Sequence, residues 1–216
     1  MMRCVVCWIA LVVFCALAGG QMQSVKALAE NGKIVVVDGT GRRRTISATG
    51  CDSQPQTSID TREVVFLRSS PCGSEKAVKS GWHLMYCALN TETCSILISS
   101  PIRIGGYDVR SLSSPHFSAD ASMVFFLYEL SAVTHGLASV TVASRAVTAF
   151  GDATTLEVIR AGKYKGYLLC MRRTTPLSGF PKYWYWLLGP DGKEVGLVGD
   201  TALDRLEFLE RNGALR

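Results

Sequence analysis

Residues 54–69, QPQTSIDTREVVFLRS, and residues 114–129, SPHFSADASMVFFLYE, are one module written twice, sixty positions apart. Pro55 matches Pro115, Ser58 matches Ser118, Asp60 matches Asp120, Val64 matches Val124, and Phe66 and Leu67 match Phe126 and Leu127. A spacing of that size marks a fold assembled from repeated supersecondary units, each too small to bury its apolar face alone. Repeat scaffolds host many unrelated activities, so the module speaks to architecture and not to ligand.

Outward from the two modules the chain reads almost wholly as short strands. Ile34, Val35, Val36 and Val37 run into Asp38-Gly39 and return at Arg44, Thr45 and Ile46, a hairpin with a strong turn signal. Residues 84–89 with 95–98, 137–142 with 146–150, and 183–188 with 194–198 form three more. A degenerate third copy of the module runs through 156–159 and then 166–172. Helix-period sequence is nearly absent. Leu203, Leu206 and Leu209 fit either a turn or two of helix or a closing strand around Leu206, Glu207 and Phe208.

An inner pair of strands followed by an outer hairpin is a four-stranded meander, the blade of a β-propeller. Residues 55–98, 115–150 and 155–198 make three such blades. Residues 33–47 make the outer half of another, completed by the segment after residue 200, so that one blade is split between the termini and hides its edges. The expectation is an all-β chain forming a small or partial β-propeller of about four blades, with a β-sandwich of meanders as the alternative. Four blades is about the lower limit of closed propellers, which leaves completion by a partner open.

One copy of the module carries a family resemblance. Ser114, Pro115, His116, Phe117, Ser118, Ala119 and Asp120, followed by Met123, Val124, Phe125 and Phe126, resemble the TolB-type and WD40-like propeller repeat, in which a P-x-F-S-P-D-G segment leads into an apolar strand. The copy at 55–67 departs further: Thr57 stands for the aromatic, Ile59 for the second proline and Thr61 for the glycine, and Ala121 replaces that glycine in the better copy. The resemblance implies a propeller in which Asp60 and Asp120 tie tight turns with their carboxylates.

The first eighteen residues read as an address. Met1-Met2-Arg3 is a short positive start, residues 4–17 carry no charge, and Ala16-Leu17-Ala18 is the small-x-small pattern of signal-peptide cleavage after Ala18. That run of about 14 residues is short for a membrane span, which needs about 20; a retained anchor is the alternative. The remaining chain, from Gly19 on, is read as one exported, propeller-like domain at residues 19–216, periplasmic or secreted, with no stable membrane insertion after cleavage. In an oxidising compartment Cys87 and Cys94, which flank a turn at Asn90-Thr91, are placed to pair, as are Cys51 and Cys72 around the first module. Cys170, in an apolar stretch, reads as a buried thiol.

Twenty-three Lys and Arg against eighteen Asp and Glu give a mild net charge of +5, with no concentrated basic stripe for nucleic acid. Arg42, Arg43 and Arg44 form the one dense basic run, read as a solvated hairpin edge that discourages strand-to-strand association or as a contact for an acidic partner or a lipid headgroup. His83, His116 and His135 lack metal-ligand spacing, and no cofactor or metal is expected. No G-x-S-x-G, P-loop or dinucleotide fingerprint occurs, so an enzyme is not expected and no catalytic residue is nominated.

The most unusual local composition is Tyr183, Trp184, Tyr185 and Trp186, after Phe180-Pro181-Lys182 and within reach of Arg172 and Arg173. On a strand the tyrosines face one way and the tryptophans the other, either packed between blades or exposed for binding. Three functions follow: recognition of a cell-envelope protein, in one form as a protective inhibitor; carbohydrate or cell-wall binding through the aromatic strand; or hydrolysis at a site the sequence does not reveal.

Overall fold

The computed structural model describes residues 25–70, 72, 81–131, 134–174 and 179–215; the expected leader at 1–18 lies outside the described residues. Four antiparallel sheets follow one another along the chain. The first holds β1 (Lys26–Glu30), β2 (Lys33–Val37) and β3 (Arg43–Ser47). The second is β4 (Asp52–Thr57), β5 (Glu63–Ser70), β6 (Gly81–Ala88) and β7 (Thr93–Ser99). A small hairpin, β8 (Ile102–Ile104) and β9 (Tyr107–Val109), precedes the third sheet of β10 (Leu112–Phe117), β11 (Met123–Ser131), β12 (Thr134–Thr141) and β13 (Val147–Asp152). The fourth is β14 (Thr155–Val158), β15 (Leu168–Thr174), β16 (Lys182–Leu188) and β17 (Glu194–Gly199), and helix α1 (Ala202–Arg211) follows. The three expected four-stranded meanders are present, each in sequential strand order.

The cores explain why the second strand of each meander is apolar on both faces. On β5, Val64 and Phe66 point into the core shared with the first sheet, and Val65 and Leu67 into the core shared with the third. All four are fully buried. On β11 the alternation repeats, with Val124 and Phe126 facing back and Phe125 and Leu127 facing forward to the fourth sheet. Each inter-sheet layer therefore takes alternate residues of one strand. A two-sheet sandwich would bury one face of each sheet; here the middle sheets bury both, as propeller blades do.

The repeat is readable atom by atom. Ser58 Oγ donates to Asp60 Oδ1 at 2.6 Å and accepts from Glu63 N at 3.0 Å; Ser118 Oγ donates to Asp120 Oδ1 at 2.7 Å and accepts from Met123 N at 3.0 Å. These turns place Thr61 at φ 60° and Ala121 at φ 58°, the position where the family pattern has glycine. Both modules also carry a bulge in the inner strand, with Gln54 and Ser114 each at φ 50°. The bulges touch: Ser114 N donates to Gln54 Oε1 at 2.7 Å.

One expectation is corrected. Among the described residues no blade is split between the termini: the first sheet draws all three strands from residues 26–47, with β1 as its inner strand, and the segment after residue 200 is a helix. The reason is local. Thr201 and Asp204 form a capping box, with Thr201 Oγ1 accepting from Asp204 N at 3.1 Å and Asp204 Oδ2 accepting from Thr201 N at 2.9 Å. The helix lies on the outward face of the fourth sheet, where Leu209 joins Ile159, Leu169 and Leu187, and Phe208 stacks on Tyr164 at 5.5 Å. It covers apolar surface that a further blade would otherwise cover. At the other end, buried Asp52 holds the first sheet to the second by accepting from Ser47 Oγ at 2.5 Å and from Arg68 Nε at 2.7 Å.

Candidate functional site

The strand pairings align the inner strands of three successive sheets. Gln56 sits opposite Val65, His116 opposite Phe125 and Glu157 opposite Leu169. The next residues, Thr57, Phe117 and Val158, sit opposite Val64, Val124 and Leu168. Gln56, His116 and Glu157 are thus one repeat position carrying three different polar side chains. All three line a recess of about 410 Å³ on the axial side, with Arg160 beside them and Leu209, Ala214 and Leu215 of the C-terminal segment closing it. That size lies within the range of ligand-holding clefts.

Several contacts fix the recess. Arg160 Nη2 donates to Gln56 Oε1 at 3.3 Å, bridging the fourth sheet to the second. Arg205 reaches from α1 to Glu157, with Nη2 at 2.5 Å and Nε at 3.0 Å both donating to Oε2, an ion pair that ties the helix to β14. Burial first, and then the nearby Arg160 guanidinium, push His116 down to about 4, while its hydrogen bond with the Leu156 backbone offsets them only in part. The imidazole is therefore neutral near pH 7, with one nitrogen able to donate and the other to accept. Lys163 N donates to Asn212 O at 3.0 Å, anchoring the segment that carries Ala214 and Leu215 to the turn after β14. A Cβ at Gly162 would lie 2.0 Å from that same oxygen, which is why the close approach needs glycine.

The residues nominated from sequence fall elsewhere. Arg172 and Arg173 lie on β15, cross-strand partners of Trp184 and Tyr183 on β16. Trp186 packs with Phe125, Cys170 and Leu188 in the core between the third and fourth sheets, whereas Tyr185 packs with Leu169 and Leu187 beneath α1. Trp184 is half-buried. Arg172 pairs with Glu194 and donates through Nη2 to Phe150 O at 3.4 Å. Towards the loop end the strand opens: Tyr183 is 41% exposed and Phe180 80%. This aromatic tip and the axial recess are separate surfaces.

Cys51 is bonded to Cys72 and Cys87 to Cys94, with Cα separations of 5.5 and 4.1 Å; the second pair are direct cross-strand partners. Cys170 is free and fully buried, and burial pushes its thiol up to about 11, so it stays protonated and inert. His83 accepts from or donates to Ser99 Oγ at 2.9 Å on the second sheet, and His135 lies opposite Glu129 on the third; neither reaches His116. Gln56, Glu157 and Arg160 were not nominated from the sequence, and His116 entered there only as lacking metal-ligand spacing. Extending the repeat alignment to the third, degenerate copy would have put 56, 116 and 157 in one column.

No protein-family model matches the chain, and no curated protein matches it by sequence. Solved structures share its fold. The β-propeller domain of the trilobed protease from Pyrococcus furiosus, which has an open velcro topology, superposes with a TM-score of 0.54 at 15% identity, over 82% of this chain and 53% of that one. Oligogalacturonate lyase from Vibrio parahaemolyticus gives 0.54 at 11% identity, over 84% and 50%. A TolB candidate from Agrobacterium tumefaciens gives 0.53 at 12% identity, over 80% and 60%. The chain spans half to three fifths of the length of these three. They are a protease domain, a lyase and a TolB candidate, so the likeness fixes the β-propeller fold and leaves activity to the site.

Proposed function

We propose that the protein is an exported recognition module that binds a protein partner of the cell envelope, whose segment enters the axial recess. The observation that carries this reading is the divided behaviour of the repeat. Ser58 and Ser118, and Asp60 and Asp120, stay the same and hold the turns, while the axial position changes from Gln56 to His116 to Glu157. A fixed scaffold with varied polar side chains around a concavity offers a specific pattern of donors and acceptors. The chemistry favours binding over turnover. Glu157 is the one carboxylate among the described residues lining the recess, and it is engaged by Arg205. His116, held at about 4, lies far from the near-neutral value that suits a general acid or base.

Export rests on the leader at residues 1–18, and the two disulfides suit an oxidising compartment. A second reading, carbohydrate or cell-wall binding, has the exposure of Phe180 and Tyr183 in its favour. Affinity capture from the organism's own envelope extract, read by mass spectrometry, separates the two. Wild type is expected to retain one dominant, salt-resistant protein that a Gln56→Ala/Arg160→Ala variant loses. Equal capture by both proteins moves the partner off the recess. Glycan binding that disappears in Phe180→Ala/Tyr183→Ala, with no protein captured, installs the second reading.

A further inference from the structure

The arginine run that the recess does not use is divided by the fold. Arg43 points to the outward face of the first sheet and pairs with Glu30. Arg44 turns the other way, pairs with Glu92 and donates through Nη2 to Leu89 O at 3.2 Å, tying the first sheet to the second. Arg42 is exposed; its backbone N–H closes the Asp38 turn at 3.0 Å, and the residue lines a cleft of about 430 Å³ between these two sheets. Across the cleft stands Arg62, from the turn of the first module, with a side chain 79% exposed and a salt bridge of 3.7 Å to Asp60. Asn90 contributes an amide, and Val36 and Leu89 an apolar wall.

The charge balance selects the ligand. Asp38 and Glu92 also line the cleft, and Asp60 adjoins it, so three arginines meet three carboxylates. Such a site has no long-range field for a polyanion or a dense anionic membrane surface. What remains is short-range: two exposed guanidinium forks, each able to take a carboxylate at two points, beside an apolar wall. We propose that this cleft seats a short acidic and apolar segment of a partner protein, with Arg42 and Arg62 clamping a carboxylate and Val36 and Leu89 receiving the neighbouring apolar side chain.

The test uses a fluorescein-labelled octapeptide of alternating glutamate and leucine, followed by fluorescence anisotropy against the purified protein. Saturable binding is expected, weakened about tenfold or more in Arg42→Ala/Arg62→Ala and restored only in part by Arg42→Lys/Arg62→Lys, because an ammonium cannot make the two-point contact. Both arginines are exposed, so the variants should melt like the wild type, and a shared melting temperature confirms that affinity and not folding has changed. Absence of saturation overturns the proposal, as does equal affinity in the alanine variant. Tighter binding to phosphatidylserine vesicles or to inorganic phosphate than to the peptide overturns it in favour of phosphate chemistry. Gln56→Ala/Arg160→Ala should leave peptide binding unchanged, so this cleft and the axial recess succeed or fail separately.

Discussion

His116 is held neutral by two influences acting in one direction, the cost of burying a charge and the repulsion of Arg160. The sign of the consequence is fixed. The folded value of about 4 lies below the ordinary 6.5, so the unfolded chain takes up the proton first. This residue's contribution is complete above pH 6.5 and is lost as the pH falls from 6.5 towards 4, by up to about 3 kcal/mol. Urea midpoints across that window should slope steeply for wild type and more gently for His116→Gln; identical slopes would remove His116 as the cause. At this scale legibility was uneven. The roles of Asp60 and Asp120 were available as what the repeat resemblance implies, and they hold because each carboxylate serves its own turn, two residues away. Gln56, His116 and Glu157 share one column of the repeat, but the recess they line was not legible, because strands from three different sheets bring them together.

Helix α1 is an element whose ends and faces have different jobs. Thr201 and Asp204 start it, Leu209 is buried against the fourth sheet, and Leu206 is 44% exposed. The same substitution should therefore have unequal costs. Leu209→Ala is expected to destabilise by about 2–5 kcal/mol through lost burial and a residual cavity, and Leu206→Ala by about 0.5 kcal/mol or less. Urea denaturation of the pair checks this; equal losses would mean that the helix does not sit on the sheet by its Leu209 face. The leucine spacing alone left helix and strand undecided. The deciding signal was Thr201 three residues before Asp204, which satisfies the first backbone N–H groups of a helix and has no such use in a strand. Strand β1 was missed for the opposite reason: Lys26, Ala27, Leu28, Ala29 and Glu30 have weak strand propensity and owe their pairing to β2.

At the scale of the whole molecule, two covalent links act on different lengths of chain. Cys51–Cys72 spans 21 residues and Cys87–Cys94 spans 7. The loop-entropy account assigns about 3 kcal/mol to the first and about 2 kcal/mol to the second. Paired serine substitutions, compared by urea denaturation, should rank in that order; a larger loss at Cys87 and Cys94 would point to strain relief or packing instead. The meanders and both pairings were legible because each is specified within one stretch of chain. How the sheets meet was not, because that depends on which faces remain uncovered once α1 and the first sheet are in place. The inter-sheet cores run strictly in chain order, first to second, second to third, third to fourth, fourth to helix. Among the described residues no sheet draws strands from both the first and the last stretches, so the sheet of β1, β2 and β3 does not wait for the segment that forms α1. Each unit can close as it leaves the ribosome and find its neighbour already folded, so that assembly is vectorial and little apolar surface is left waiting for a distant partner.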